Sequence, residues 1–221
     1  MTESQAPVKP LLRGWSHCLA AVAAIAGLVA LIVTTRNDPA KLVSMIIYGA
    51  GLILLFAVSG TYHIFNWPPA VRAWLRRADH ATIFVFIAAT YTPLVFNILD
   101  GWWRIGVLAA IWTMAAIGAG GAAPFLRIPR RVLTGMYISM GWVAVIALAP
   151  LTATLGWIAA ALMALGGIQY SIGAAFYATK KPALWPRVFG YHELFHLAVI
   201  TASMTFYAVV FHYAVPFHRA G

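Results

Sequence analysis

The sequence predicts an all-α integral membrane protein, a bundle of seven transmembrane helices. Three observations carry that expectation. Of the 221 residues, 62% are hydrophobic and only 9% charged, whereas a soluble domain carries roughly 25% charged residues. The apolar residues gather into seven runs, each able to cross a hydrocarbon core of about 30 Å as a helix of roughly 20 residues. No run alternates apolar and polar residues with period two, as the strands of a membrane barrel would.

The first run is Trp15 to Thr35, behind a polar lead that ends at Gly14. It continues past Val33 without a small-residue cleavage site, and six more runs follow, so it reads as a helix rather than a removable signal. The second, Leu42 to Phe65, is set off by Asn37-Asp38-Pro39, and the third, His80 to Leu99, by Asn66-Trp67-Pro68-Pro69. Pro93 lies inside the third and is expected to kink it. Asp100-Gly101 separates it from the fourth, Trp102 to Ala122. Pro124 and Pro129 precede the fifth, Val132 to Pro150. The sixth is Leu155 to Tyr177, and after Lys181-Pro182 the seventh is Phe189 to Val215. No linker is long enough to divide domains, so residues 1–14 form a lead, 15–215 one membrane domain and 216–221 a tail. Glycines fall inside many runs, which suits close helix packing in lipid.

Lys plus Arg is 15 and Asp plus Glu is 5, a net charge of +10. In a soluble chain that excess would suggest nucleic acid. Here the cations sit in the gaps between apolar runs, so they read as anchors and contacts to anionic lipid, and no nucleic-acid partner is expected. Cys18 is the only cysteine, which excludes an intrachain disulfide. On one side of the expected bilayer fall Lys9, Arg13, Arg72, Arg76, Arg77, Arg127, Arg130, Arg131, Lys180, Lys181 and Arg187. The other side takes Arg36, Lys41, Arg104 and Arg219. The bias predicts a cytoplasmic N-terminus and an extracytoplasmic C-terminus in the cell's inner membrane.

That orientation gathers the ionisable residues of the spans into one leaflet. His192 and His196 stand at i and i+4 in the first turns of the seventh span, on one helix face. Ser59 and His63 are likewise i and i+4, at the inner end of the second. Asp79 and His80 stand at the mouth of the third, and His17 opens the first. His212 and His218 fall at the far side. Imidazoles at membrane depth need a compensating partner. Three histidines plus water make an open zinc site, so His63, His192 and His196 are the expected metal ligands and Zn2+ the expected cofactor. Asp79 would take or relay a proton beside the metal, with Ser59 behind it. His17, His80 and Glu193 are expected as supporting residues. The bland alternatives are an ion pair of Asp79 with Arg76 or Arg77, and a Ser59 hydroxyl bonded to its own helix.

These motifs resemble the hemolysin III family, prokaryotic relatives of the progestin and adipoQ receptors in a wider superfamily with the alkaline ceramidases. The resemblance rests on Ser59-x-x-x-His63, Arg77-Ala78-Asp79-His80, Ile87-Ala88-Ala89-Thr90-Tyr91-Thr92-Pro93 and His192-x-x-x-His196, in that order across seven spans. It implies that the three histidines bind zinc with Asp79 beside its water. A rival pattern, His192-Glu193-x-x-His196, is that of zinc proteases in which the glutamate is the base. Leu99-Asp100-Gly101 resembles their third-ligand motif, but Asp100 precedes the histidine pair and lies across the membrane from it.

The expected function is zinc-dependent hydrolysis of an amide or ester in a lipid-like substrate, with the bilayer as the other partner. The alternative is a non-enzymatic, signal-transducing or membrane-perturbing protein whose zinc is structural, closed by a fourth protein ligand. The sequence sets no oligomeric state.

Overall fold

Helix starts are written into the gaps. Asp38 caps α2 (Pro39–Ile64) by accepting the Lys41 backbone N–H at 2.9 Å, with Pro39 in the first turn. α3 (Pro69–Ile98) opens without a side-chain cap, with Pro68 before it and Pro69 in its first turn. The computed structural model describes residues 12–121, 128–182, 184–185 and 188–219. Most of the polar lead, Lys9, Pro124, Arg127 and Arg187 lie outside them.

The remaining helices are α1 (Trp15–Thr35), α4 (Gly101–Gly121), α5 (Arg130–Trp142), α6 (Ala144–Leu155), α7 (Trp157–Thr179) and α8 (Tyr191–Val209). A π-helical turn, Val210–Ala214, continues α8. Seven stretches are long and apolar enough to cross a membrane, with α5 and α6 sharing the fifth. Their outer faces are apolar, with Leu19, Ile105 and Trp157 each more than 70% exposed. Such surface is a liability in water and ordinary against acyl chains.

Two expectations are corrected. The third helix starts at Pro69, not His80, because Pro69 to Ala78 is a helix-forming stretch too charged to look like membrane. Pro93 lies inside this helix, which runs on to Ile98, and Asn97 Nδ2 donates to the Pro93 carbonyl at 2.8 Å. The fifth span is two helices and passes Pro150 to end at Leu155. The break falls at Val143, where Tyr91 of α3 donates its hydroxyl to the Gly141 carbonyl at 2.6 Å. A carbonyl drawn off by a neighbouring helix is a sufficient cause for the ladder to part.

α3 is the central element, with 72% of its apolar window buried against 22% for α1. α1 packs on α2, α2 on α3, α3 on α4 and α7 on α8, and α1 meets α8 to close the ring. Small residues permit the closest approaches. A Cβ on Gly51 would lie 2.7 Å from the Ala89 Cβ, so α2 and α3 touch nearly backbone to backbone. Gly14 lies at φ +89° just before α1, and a Cβ there would meet the His63 Cβ at 2.8 Å. Glycine at this position brings the start of α1 against the end of α2.

The end of the bundle away from the histidines is tied by charge. Lys41 is only 5% exposed, and its Nζ donates to the Val215 and Phe217 carbonyls at 2.8 and 2.6 Å. Arg219 donates to Asp38 at 2.6 Å, and the Lys41 N–H together with Arg219 holds that carboxyl below its ordinary range. Lys41 is thus a clasp on the C-terminal tail rather than a surface anchor. Lys41→Met should cost about 2–3 kcal/mol by leaving two carbonyls without a charged donor. The thermal midpoint in detergent should fall by roughly 5–10 °C. An unchanged midpoint would show that the tail is held by other contacts.

Candidate metal centre

Three helix ends and one passing helix converge on one point. α2 finishes there, α1 and α8 begin there, and α3 passes through it at Asp79, nearly three turns after its start. The chain brings together three imidazoles. Ligand atoms of His63, His192 and His196 all lie within 4.8 Å of one another, and no other cluster of this kind occurs among the described residues. Nε2 of His192 is 3.1 Å from Nε2 of His63. His196 is 1% exposed, and the other two are half-buried.

The donor set fits zinc. With Zn–N bonds of about 2.0–2.1 Å, tetrahedral ligand nitrogens stand about 3.3 Å apart. The His63 and His192 pair already has that spacing, and the third ligand needs a side-chain adjustment within the same cluster. Neutral imidazoles are the ordinary ligands of this ion.

Asp79 and Ser59 lie against the histidine cluster, on the same cavity. Asp79 Oδ2 is 3.8 Å from His63 Nε2 and 3.8 Å from His80 Nδ1. Ser59 is buried beside the Asp79 carboxylate, with its hydroxyl turned to the same site. Among the described residues Asp79 makes no ion pair with Arg76 or Arg77. His80 sits on the far side of that carboxylate, and the Tyr137 hydroxyl donates to its carbonyl at 3.0 Å. Tyr137 was not singled out in the sequence, because nothing local marks a tyrosine of α5 as a neighbour of α3.

Glu193 is engaged otherwise than as a base. It is 4% exposed, accepts the Gly190 N–H at 2.8 Å and pairs with Arg13 Nε at 2.9 Å. Both carboxylate oxygens are thereby occupied, one capping α8 and one tying the approach to α1. His17 is buried with its ring stacked on that of His196, centroids 3.8 Å apart and planes at 10°. Neither of its ring nitrogens has a hydrogen-bond partner among the described residues. Stacked face to face, it packs against the His196 ring, and it is not one of the mutually close group of three histidines. Asp100 pairs with Arg104 at the opposite end, and His212 and His218 are exposed there.

A cavity of about 1270 Å³ opens onto this centre. Ser59, His63, Asp79, His80 and His192 line one part of it, and Leu94, Leu151, Met163 and Phe206 line another. It is larger than most small-molecule pockets, which span roughly 300–1,000 Å³. It also joins ionisable groups to an apolar recess.

Comparison with known proteins yields a consistent set. The sequence matches a family model described as Haemolysin-III related over residues 5–207. It is 33% identical to "Hemolysin-3" of Bacillus cereus over 204 residues, 91% of this chain and 90% of that one. It is 29% identical to the human "Monocyte to macrophage differentiation factor", covering 90% of this chain and 82% of that one. The "Heptahelical transmembrane protein ADIPOR2" of Oryza sativa subsp. japonica is 28% identical over 74% of this chain and 79% of its own.

Proposed function

The chain belongs to the haemolysin-III related family, and from that premise we propose that it is a zinc-dependent hydrolase of an amide or ester bond in a lipid-like molecule. The observation that supports this reading most is the placing of Asp79. Its carboxylate stands 3.8 Å from a histidine of the cluster, on the wall of a cavity that is apolar beyond.

His63, His192 and His196 would hold the zinc. When bound, the ion supplies a Lewis acid able to make hydroxide available near pH 7. The chain's own residues do the rest. Asp79 Oδ2 accepts a proton from water on the cavity side, since its other neighbours are imidazoles and the Ser59 hydroxyl. Ser59, buried beside the carboxylate, would orient it by donating its hydroxyl. His17 and the Arg13–Glu193 pair hold the α8 histidines in place from behind. The apolar recess takes acyl chain and keeps bulk water away from the linkage. On this reading the centre lies in the cytoplasmic leaflet of the inner membrane, in keeping with the Lys and Arg bias to the same end.

The rival reading, a structural zinc in a non-enzymatic protein, needs a fourth protein ligand. His17, His80 and Asp79 are the candidates for it, and none of them joins the mutually close group of His63, His192 and His196. The test is direct. Protein purified without chelator should carry about one zinc per chain and release fatty acid from N-acyl or O-acyl lipids. Zinc with no release from either class would favour the structural reading.

A further inference from the structure

Resting on the hydrolase reading, we infer that the substrate is an anionic lipid whose phosphate is held by Arg72, Arg76 and Arg77. All three line the cavity that contains the histidines and Asp79. They stand on the charged start of α3, outside its apolar part, with Arg72 and Arg76 on one face at i and i+4. Ordinary anchoring at a bilayer surface does not require basic side chains to open into the same cavity as a buried imidazole cluster.

Among the described residues no carboxylate pairs with these arginines. Every carboxylate among the described residues is engaged elsewhere. Asp38 pairs with Arg219, Asp100 with Arg104, Glu193 with Arg13, and Asp79 faces His63, His80 and Ser59. Arg13 also lines the cavity, but it is spent on Glu193. Arg72 rests over the Tyr62 ring at 6.0 Å, which leaves its N–H groups available at the edges. Three guanidiniums within six residues suit a group with more than one negative charge and several acceptor oxygens. A phosphate has both, and planar guanidinium forks match its geometry. A neutral headgroup would leave the three charges facing one another.

Spacing along α3 sets the kind of molecule. Arg72 and Arg76 precede Asp79 by seven and three residues, about 10 and 5 Å of helix. An amphiphile with its phosphate at these arginines therefore presents to Asp79 a bond a short spacer away. Glycerol phosphate carrying an acyl ester has that layout, with its chain running toward Leu94, Leu151 and Met163.

Binding, not turnover, decides the matter, so the outcome is separate from whether the protein hydrolyses anything. The full-length protein in neutral detergent, and its His192→Ala variant, would be titrated with three probes while tryptophan fluorescence is read. The probes are a monoacylglycerol phosphate, the monoacylglycerol of the same chain length, and inorganic phosphate. The lipid phosphate should bind at least about tenfold more tightly than the neutral lipid in both proteins. Arg72→Gln and Arg76→Gln should each weaken it by about tenfold, and Arg131→Gln, an exposed cation that does not line the cavity, should leave it unchanged. Equal affinity for the neutral lipid would overturn the proposal. So would an equal loss in Arg131→Gln, which would mean general surface attraction. Inorganic phosphate binding as tightly as the lipid would overturn it too, by showing a phosphate site with no role for the chain.

Discussion

Replacing His192 by alanine should strip the protein of metal while leaving it folded. His192 is the best of the three positions for this test because it is half-buried and lines the cavity. Its loss leaves no sealed void, and α8 keeps its Glu193 cap and its Arg13 tie. Losing a supporting residue around a metal typically costs 10–100-fold in affinity. Losing a ligand should cost more, so zinc retained through purification should fall by roughly 100-fold or more. Metal analysis beside a circular-dichroism melt reads both halves of the expectation. His196→Ala should lose metal as well, and stability with it, because His196 is 1% exposed and carries the stacked His17 ring. The difference between the two variants separates ligation from packing. Full zinc occupancy in His192→Ala would remove that residue from the ligand set, and with it the three-histidine centre.

The seven spans were legible because lipid acts on sequence in a local way. A helix whose outer face meets acyl chains must be apolar along its length, whatever its neighbours do. Trp15–Thr35 is accordingly the same in sequence and structure. Legibility failed wherever the cause lay elsewhere in the chain. α3 extends to Pro69 because helical propensity outlasts the membrane, and the Pro68-Pro69 start with Ala, Leu and Arg after it was a readable signal that hydropathy alone passes over. The break at Val143 had no local signal, since the Tyr91 hydroxyl comes from another helix. In the site, the histidines were visible because ionisable groups at membrane depth are few and costly. Glu193 was harder. Its position about 100° around α8 from His192 said only that it faces another way. That it faces Arg13, 180 residues earlier, is a fact of the ring closing between α1 and α8. Lys41 misled for the same reason, as its partners are carbonyls 174 and 176 residues later.

Asp79→Asn separates the two readings of the centre, and its effect on turnover should be the largest of any single change that leaves the metal in place. Asparagine keeps the shape of the side chain and can still meet the Ser59 hydroxyl through its carbonyl oxygen. What it loses is the ability to accept a proton. General-base catalysis contributes typically 10²–10⁴-fold, so kcat for acyl release should drop by roughly that factor with KM little changed. Zinc content should stay within about tenfold of the parent, as expected for a group beside the ligands rather than among them. Two other results carry distinct meanings. If turnover survives, Asp79 is not the base, and the cavity wall offers no second described carboxylate to replace it, because Glu193 is held by Gly190 and Arg13. If zinc is lost as completely as in His192→Ala, Asp79 is itself a ligand, the centre is closed by four protein groups, and the metal ties α2, α3 and α8 together without catalysing anything. The 3.8 Å between Asp79 Oδ2 and His63 Nε2 is longer than a hydrogen bond, which leaves room for a water to be held between carboxylate and imidazole. The catalytic reading requires that room, and the conservative amide substitution is the change that probes it without altering its size.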